Sequence, residues 1–341
     1  MPVLARTVVL AAAIAFAGAG GAHAQATDFY KGRTIEIYIG YSTGGGYDVY
    51  ARLLGRYIGR HIPGNPNVVA RNMEGAGSLR AVNWLYNIAP KDGTVFATFG
   101  RGAPFDPLLG VKAAQFDGNK FSYVGSMNDE VSVCVSWTGS GVTTFADLQA
   151  KDLVVGGTGP SADTDQFPKV MNGALGTRMR IISGYPGGND INLAMQRGEV
   201  KGRCGWSWSS VIGTHQKWYQ DKTINVLVQL SLHKHADLPD VPLVMDLAKT
   251  DEQRAMLKLV FARQALGRPF AGPPGVPADR LAILRRAFME TMADKDFLAE
   301  ADKAQFEITP ISGEEIQRLV KEAYETPPAV VKRTVELLEA K

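Results

Sequence analysis

The segment from Ile35 to Ile58 constrains the fold most, because it combines a β-rich run, a glycine-rich turn and an amphipathic helix. The run Ile35 to Ile39 is typical of a buried strand. Residues 42 to 47 are then mostly small or glycine, so that backbone N–H groups can point inward, and Asp48 is placed to cap the following helix. The segment therefore predicts an anion-binding cradle at the N-terminus of a helix.

Residues 1 to 24 have the pattern of a secretory signal. Arg6 supplies a positive charge, Val8 to Phe16 form an apolar core too short to span a bilayer, and Ala22-His23-Ala24 form a cleavage site before Gln25. No later run is long and apolar enough for a transmembrane helix, and no lipid-attachment cysteine sits at the cleavage site. We therefore expect an exported protein, located in the periplasm if the source is a Gram-negative bacterium.

Composition excludes some classes of function. The 341 residues are 45% hydrophobic and carry a formal net charge of +3, without a block of Lys and Arg interleaved with aromatic residues. This argues against a nucleic-acid-binding protein and favours an ordinary globular chain of about two domains.

The two cysteines, Cys134 and Cys204, both lie in apolar segments with strand character. In an oxidising compartment they are the right number for one bridge. The sequence leaves two alternatives open, a disulfide or two buried free thiols.

The order of strand, glycine-rich turn and helix occurs three more times, beginning with strands near Val68, Leu153 and Arg180. Strands that alternate with helices predict parallel sheets covered on both faces, with ligands outside the carboxyl ends of the strands. Two such sheets would face each other across a cleft that collects several helix N-termini, each equivalent to roughly half a positive charge. Such a cleft suits carboxylates.

These units predict an α/β fold of two lobes, each built on a mainly parallel sheet flanked by helices. Lobe two is predicted to span about 131 to 229, and lobe one to combine 28 to 130 with 230 to 341. The β-rich segments Ser132 to Trp137 and Ile224 to Leu230 bracket lobe two. We interpret them as crossovers that act as hinges near 131 and 229.

Several motifs occur together in a characteristic order. They are a leader before G-Y-S-T-G-G-G-Y-D-V-Y-A-R-L-L, then N-M-E-G-A-G-S, A-P-K-D-G-T, Y-P-G-G-N-D with G-E-V-K-G, L-P-D-V-P-L and P-P-G-V-P. By these motifs nearly the whole chain resembles the solute receptors of tripartite tricarboxylate transporters, the Bug family of periplasmic binding proteins. The resemblance implies a two-lobed type II binding protein that closes around a carboxylated ligand. Many such receptors have a proline early in the first loop, whereas this chain has Ser42-Thr43, so specificity is not carried over.

The resemblance also implies that loops of both lobes grip the ligand carboxylate, largely through main-chain N–H groups, hydroxyls and bound waters. The first strand–helix loop and its counterpart in lobe two would make the main contacts, and two further loops would complete the rims. The residues predicted in this way are Tyr41, Ser42, Thr43, Gly44, Gly45, Gly46, Asp48, Gly75, Ala76, Gly77 and Ser78 in lobe one, and Thr158, Gly159, Ser161, Asp163, Tyr185 and Gly187 in lobe two.

Three further residues are candidates for the cleft. Trp206 and Ser207 follow a predicted strand at the rim of lobe two, where the indole would either wall the cleft against a long or aromatic acid or pack in the core. Arg101 follows the strand T-V-F-A-T-F-G and would either pair with a distal carboxylate of the ligand or lie exposed.

Known enzyme motifs fail in this chain. The first turn lacks G-x-G-x-x-G, no G-K-[ST] follows a glycine-rich loop, and Gly205-Trp206-Ser207-Trp208-Ser209 lacks the final glycine of a hydrolase elbow. His233, His235 and Asp237 have metal-ligand chemistry without a fourth ligand at a recognisable spacing. We therefore expect no cofactor, no metal and no catalysis.

The sequence as a whole predicts a monomeric periplasmic receptor that captures a small organic acid by lobe closure and delivers it to the permease subunits of a tripartite transporter. An alternative of another class is a periplasmic α/β hydrolase that uses the same cleft, with Ser207 or Ser161 as nucleophile. A third interpretation couples the receptor to a sensor kinase.

Overall fold

A computed structural model describes residues 29 to 339, so the predicted secretory signal lies outside the described residues. Within this part, eleven strands form two separate sheets, with eleven α-helices packed around them. None of the described helices is both long enough and apolar enough to cross a membrane.

The first sheet contains strands from both ends of the described chain. Their order is β11-β4-β10-β3-β1-β2, in which β1 is parallel to β2 and β3, whereas β10 is antiparallel to β3 and β4. The bounds are β1 Thr34–Ile39, β2 Asn67–Asn72, β3 Val95–Thr98, β4 Ser122–Ser126, β10 Pro269–Gly272 and β11 Ile311–Ser312.

The second sheet is formed by the middle of the chain, in the order β7-β6-β8-β5-β9. Its strand β6 is parallel to β7 and β8, and β5 is antiparallel to β8 and β9. The predicted two-sheet α/β fold is confirmed, but both sheets are mixed, since β5 and β10 run against their neighbours. The bounds are β5 Ser132–Trp137, β6 Leu153–Gly156, β7 Met179–Ile182, β8 Gly202–Ser207 and β9 Ile224–Leu230.

The helices cover both sheets. We call the part built on the first sheet lobe one and the part built on the second sheet lobe two. Their bounds are α1 Gly46–Tyr57, α2 Leu79–Asn87, α3 Phe145–Ala150, α4 Asp163–Leu175, α5 Gly188–Gln196, α6 Trp208–Gln220, α7 Asp251–Phe261, α8 Ala278–Met292, α9 Lys295–Lys303, α10 Gly313–Tyr324 and α11 Pro328–Glu339.

The core of lobe one follows from the alternation in β1. Ile35, Ile37 and Ile39 are fully buried on one face of the strand, against Leu53 and Leu54 of α1. Because each fully buried aliphatic side chain contributes about 1.5–3 kcal/mol, this packing fixes α1 on the sheet and its N-terminus at the end of β1.

The crossings between the lobes differ from the predicted ones. The segments Ser132–Trp137 and Ile224–Leu230 are paired strands of the second sheet rather than crossovers. The chain enters lobe two through residues 127 to 131 and returns through 262 to 268, after α7 has packed its buried Leu257 into the lobe-two core. The sequence predicted that the chain returns to lobe one near 229, because β9 ends there. The hydrophobic face of α7, however, packs in the lobe-two core. Leu337 of α11 packs there too.

Cys134 and Cys204 lie opposite each other on the antiparallel strands β5 and β8. The structure joins their sulfur atoms in a disulfide, buried in the lobe-two core.

Candidate functional site

A small cavity lies between the two lobes, with a volume of about 40 Å³. That is room for a few water-sized groups, so the lobes are nearly closed on each other. The lining residues are Tyr41, Gly45, Gly46, Tyr47, Arg101, Thr158, Ala162, Asp163, Thr164, Gly188, Arg203, Gly205, Ser207, Ser210 and Arg268.

Four helix N-termini converge on this cavity. Helices α1, α4, α5 and α6 each place at least one residue of their first turn or N-cap in its wall. Three of the N-cap residues, Gly45, Ala162 and Gly187, have no polar side chain, and the Ser207 hydroxyl does not cap α6. N-cap side chains therefore do not satisfy the first backbone N–H groups of α1, α4 and α5, which are suited to bind an anion. In α6, by contrast, Trp208 N donates to Val131 O at 2.8 Å and Ser209 N donates to Glu130 Oε1 at 3.3 Å.

Two glycines allow the lobes to approach closely at this point. A Cβ atom on Gly45 would lie 3.8 Å from the backbone nitrogen atoms of Gly188 and Asn189, so the N-termini of α1 and α5 face each other. A Cβ atom on Gly46 would collide with the Ser210 hydroxyl and would lie 3.0 Å from the Arg268 guanidinium. The absence of side chains at these two glycines therefore lets lobe two pack closely against the N-terminus of α1.

Asp48 organises the loop before α1, but it is not the helix cap that the sequence predicts. The cap is Gly45, and Asp48 lies inside the first turn, almost fully buried. Its carboxylate accepts hydrogen bonds from Gly44 N at 2.9 Å, Arg52 Nε at 2.9 Å and Asn72 Nδ2 at 2.8 Å. Asp48 therefore stabilises the loop by these hydrogen bonds and does not line the cavity.

Arg101 is neither exposed nor free for a ligand carboxylate, contrary to both alternatives of the sequence analysis. Its side chain is 2% exposed, and its Nε lies 3.0 Å from Asp163 Oδ2 of lobe two. Its other nitrogen atoms donate to Gln264 Oε1 at 2.7 Å and to the Ser207 hydroxyl. Arg101 therefore joins the lobes by a buried ion pair.

Arg268 is likewise paired with a carboxylate of the protein. Its Nη2 lies 3.3 Å from Glu130 Oε2, and both residues are buried in the crossing segments. Its guanidinium also donates to the Ser207 and Ser210 hydroxyls at 3.0 and 2.8 Å. These contacts hold the N-terminus of α6 against Arg268 at one end of the cavity.

Arg203 differs from both. Its Nη1 donates to Gly188 O at 3.1 Å and to Asn192 Oδ1 at 3.0 Å, and its guanidinium lies 4.7 Å from the centre of the Trp206 ring. Its Nε is buried without a hydrogen-bond partner, as are the Nε atoms of Arg101 and Arg268. Unlike them, Arg203 forms no ion pair with a carboxylate of the described residues. Burial lowers the pKa of Arg203 to about 9, and the charge of Arg268 acts in the same direction.

Other predicted residues form contacts between the lobes instead of lining the cavity. The Ser42 hydroxyl donates to Asp190 Oδ2 at 2.6 Å. A Cβ atom on Gly159 would clash with the backbone of Ala76 and Gly77, which shows how tightly these loops approach. The Ser161 hydroxyl donates to Asp106.

The remaining predicted residues are further from the cavity or face away from it. The Ser78 hydroxyl accepts a hydrogen bond from Gly100 N at 3.0 Å. Thr43 and Gly44 are exposed, whereas Gly75 and Tyr185 are half-buried, and none of these four lines the cavity. The predicted residues that do line it are Tyr41, Gly45, Gly46, Arg101, Thr158, Asp163 and Ser207.

The candidates Trp206 and Ser207 lie on opposite faces of strand β8. Arg203, Gly205 and Ser207 line the cavity, whereas Trp206 is 1% exposed and packs in the core of lobe two. Alternate residues of a strand point to opposite faces, so this alternation was the signal that could have found Arg203. Tyr47 and Gly188 lie in loops that the sequence assigned to the cleft, whereas Ala162, Thr164, Gly205, Ser210 and Arg268 were not predicted to line it.

The surroundings of the two serines do not favour nucleophilic catalysis. The Ser207 hydroxyl accepts hydrogen bonds from the guanidinium groups of Arg101 and Arg268, which do not act as a general base because arginine stays protonated. Ser161 is fully buried and does not line the cavity, and its hydroxyl donates to Asp106. Among the residues that the structure describes, no group of three His, Cys, Asp or Glu side chains could hold a metal ion.

The chain is similar to known proteins both in sequence and in fold. No protein-family model matches the chain. A protein of Agrobacterium vitis, described as the UPF0065 protein in the TAR-I ttuE-ttuC' intergenic region, is 26% identical over 323 residues, which are 87% of this chain and 86% of that protein.

Solved structures share the fold at low sequence identity. The periplasmic binding protein BugD is similar with a TM-score of 0.73 and 17% identity, over 90% of this chain and 98% of that chain. MatC from Rhodopseudomonas palustris, solved with bound malate, has a TM-score of 0.70 and 16% identity, over 90% and 99% of the two chains. The chain thus has the two-lobed fold of periplasmic binding proteins. Its resemblance to the Bug-type receptors, which the sequence motifs indicate, is confirmed.

Proposed function

We propose that this protein is a periplasmic solute receptor that binds a small organic acid in the cleft between its lobes. The observation that carries the proposal is the convergence of four helix N-termini on one enclosed cavity, of which those of α1, α4 and α5 have no side-chain cap. Together they are equivalent to roughly two positive charges, and a carboxylate would satisfy several of their N–H groups at once. The bound malate of the similar structure MatC agrees with this ligand class.

Capture would proceed by lobe closure about the two crossing segments. These segments are joined to each other, because Met127 N donates to Arg268 O at 3.2 Å and Glu130 N donates to Gln264 O at 3.0 Å. Paired segments of this kind bend together and keep the lobes in register. Closure would desolvate the ligand carboxylate and strengthen its interaction with the helix N-termini.

The cellular role extends the same proposal. The predicted signal at residues 1 to 24 would export the chain, and the closed, monomeric receptor would deliver its ligand to the permease subunits of a tripartite transporter. Binding alone is sufficient for this role, so no catalytic step is assigned. Delivery to a sensor kinase would use the same cleft.

A thermal-shift screen tests the ligand class. The purified protein is unfolded and refolded to remove bound ligand, then heated with mono-, di-, tri- and aromatic carboxylates and with the corresponding neutral amides. A ligand present at a hundred times its Kd stabilises by about 2.7 kcal/mol, which corresponds to a shift of about 5 °C. A shift with acids alone supports the proposal, and a shift with neither series in verified folded protein contradicts it.

Gly46→Ala tests the place of binding. The added methyl group fills the approach between α1, Ser210 and Arg268, so we expect at least a tenfold loss of affinity for any acid that the screen finds. Gly55→Ala is the matched control, since it lies on the same helix and its Cβ atom would be 3.6 Å from Ile37, an ordinary contact. Equal binding by the two variants would place the ligand elsewhere.

A further inference from the structure

Asp106 is a fully buried carboxylate at the contact between the lobes. It follows β3 in lobe one, but both side chains that hydrogen-bond its carboxylate belong to lobe two. The Ser161 hydroxyl donates to Oδ2, and Gln166 Nε2 donates to Oδ1 at 3.1 Å. Closure of the lobes therefore encloses Asp106 and supplies its hydrogen-bond donors at the same time.

Both donors are neutral, which distinguishes Asp106 from the other buried carboxylates at this contact. Asp163 pairs with Arg101 at 3.0 Å, and Glu130 pairs with Arg268 at 3.3 Å. Within the described residues Asp106 forms no ion pair with an arginine, lysine or histidine. A carboxylate enclosed without a counter-ion is costly to keep charged.

The ionisable groups around Asp106 do not supply this counter-ion. Arg263 of the return crossing donates to Gln166 Oε1 and lies 3.6 Å from Asp163 Oδ1. The Gln166 amide thus joins Arg263 to Asp106 without direct contact of the two charges. Asp163 disfavours the charged form of Asp106, and burial raises the pKa of Tyr324 to about 12, so its hydroxyl is neutral. Burial raises the pKa of Asp106 well above its usual range, and the opposing charge of Arg263 does not cancel this effect.

We propose that the protein takes up a proton at Asp106 when its lobes close, so that the proton is a second ligand of the receptor. The proposal rests on the lobe closure of the proposed function and adds to it a site outside the cleft. In the open form water reaches the carboxylate, which is ionised near neutral pH. On closure it gains one proton from the solvent, and the new O–H group donates to the Ser161 oxygen, since a hydroxyl both donates and accepts.

The proton site is separate from the ligand cavity. Neither Asp106 nor its donors Ser161 and Gln166 line that cavity. Gln166 instead lines a second groove between the lobes, with a volume of about 560 Å³, that shares no lining residue with the ligand cavity. The acid and the proton therefore occupy different places and are coupled through closure.

The direction of this coupling follows from linkage. The closed form holds more protons than the open form, so capture strengthens as pH falls and weakens as pH rises. For one proton the Kd changes by up to about tenfold per pH unit. The range begins above the ordinary aspartate pKa of about 3.9 and ends at the raised pKa of the closed form.

Isothermal titration calorimetry at pH 6.5 in MES and in imidazole buffer measures the proton uptake. The probe is the acid that binds most tightly in the carboxylate screen. The two buffers absorb different heats when they release a proton, so the difference in binding enthalpy counts the protons taken up. We expect the original protein to take up at least about 0.5 proton more per bound acid than Asp106→Asn, whose amide resembles the protonated side chain.

Asp165→Asn is the matched control. Asp165 is also buried and outside any ion pair of the described residues, but its donors Gly159 N and Ser183 lie in its own lobe. Closure does not change these contacts, so this variant should keep the uptake of the original protein. His235, which meets Glu307 across the lobes, contributes equally to the original protein and to both variants.

Each other outcome has a defined meaning. Equal uptake by the original protein and Asp106→Asn overturns the proton site while the receptor function stands. Uptake below about 0.2 proton in the original protein overturns it as well, and this result needs no variant to fold.

If no acid of the screen binds, the proposed function itself fails, and urea unfolding of the ligand-free proteins still tests Asp106. Relative to Asp106→Asn, the original protein should lose stability as pH rises from 5 to 8, because its folded form must give up the proton. A difference between the two proteins that does not change with pH overturns the proposal.

Discussion

Arg101 on the lobe-one wall of the cleft and Arg203 on the lobe-two wall are the same residue type in contrasting surroundings. Arg101 meets Asp163 from the opposite lobe, and this contact is made by closure itself. Arg203 is supported by neutral groups of its own lobe and meets no carboxylate among the described residues. Two arginines on facing walls of one cleft can therefore differ in charge balance, because only Arg101 has a carboxylate of the protein as its counter-ion.

The largest expected loss of stability comes from replacing Trp206, whose ring lies against Arg203. Trp206→Ala should lower the free energy of unfolding in urea by about 4 kcal/mol, because a fully buried indole leaves a large cavity in the lobe-two core. Trp206→Phe keeps a ring under Arg203 and should lose clearly less. A Trp206→Ala protein of nearly normal stability that no longer binds acids would instead make Trp206 a wall of the cleft.

In lobe two, Asp163→Asn should cost about 3 kcal/mol in the same measurement, since it leaves Arg101 and Arg263 without their shared carboxylate. Asp152→Asn is the matched control in the same lobe. It removes a pair with Arg178 whose aspartate is 72% exposed, so it should change stability by less than about 0.5 kcal/mol. Similar losses in the two variants would show that the buried pair contributes no more than a surface one.

The uncompensated charge of lobe two should also be visible in a neighbouring histidine. Burial, together with the charge of Arg203, lowers the pKa of His215 to about 4 from its ordinary value of 6.5. Between these values the unfolded chain binds a proton that the folded chain does not, so stability falls as pH falls from 6.5 to 4. We expect about 2 kcal/mol of this loss to disappear in His215→Gln, measured by urea unfolding across the range.

The same histidine reports on Arg203 directly. Arg203→Gln should raise the pKa of His215, as followed by the imidazole NMR signals during a pH titration. An anion bound beside Arg203 should shift this pKa in the same direction. An unchanged His215 titration in Arg203→Gln would contradict the electrostatic contrast between the two walls.

The sequence predicted the features that depend on local patterns, but not those that depend on contacts between residues far apart in the chain. The β1–loop–α1 unit was predicted closely because strand alternation, glycines and the amphipathic helix are local patterns, and Ile35 to Ile39 lie within Thr34–Ile39. The roles of Arg101 and Arg203 were not predictable in this way. Their difference depends on Asp163, which approaches Arg101 from the other lobe and is 62 positions away in the chain.

The end of lobe two shows the same limit. The sequence ended it near 229, where β9 stops, because nothing local indicates which sheet α7 covers. Leu257 and Val260 of α7 are buried with the lobe-two core, so the return crossing comes only at residues 262 to 268. The boundary of lobe two therefore depends on where the hydrophobic face of α7 packs, which the periodicity of its sequence does not indicate.

The smallest predicted effect concerns a second contact between the lobes, outside the cavity. His235 of lobe two lies 3.7 Å from Glu307 of lobe one and 3.7 Å from Asp237, and the contact with Glu307 is the main cause that raises the pKa of His235. A raised pKa means that this stabilisation is fully present below pH 6.5 and is lost as pH rises through the folded value. We expect about 0.5 kcal/mol, as for other partly exposed ion pairs.

Urea unfolding at pH 6 and pH 8 measures this contribution as the difference between the original protein and His235→Asn. His233→Asn is the control, since His233 is more exposed and lies 3.5 Å from Asp129, which belongs to the crossing segment. If His235→Asn keeps the full loss of stability between the two pH values, the contact does not hold the lobes together. If it removes that loss, the closed lobes are stabilised at two separate places, by Asp163 inside the cleft and by a pH-dependent pair at its edge.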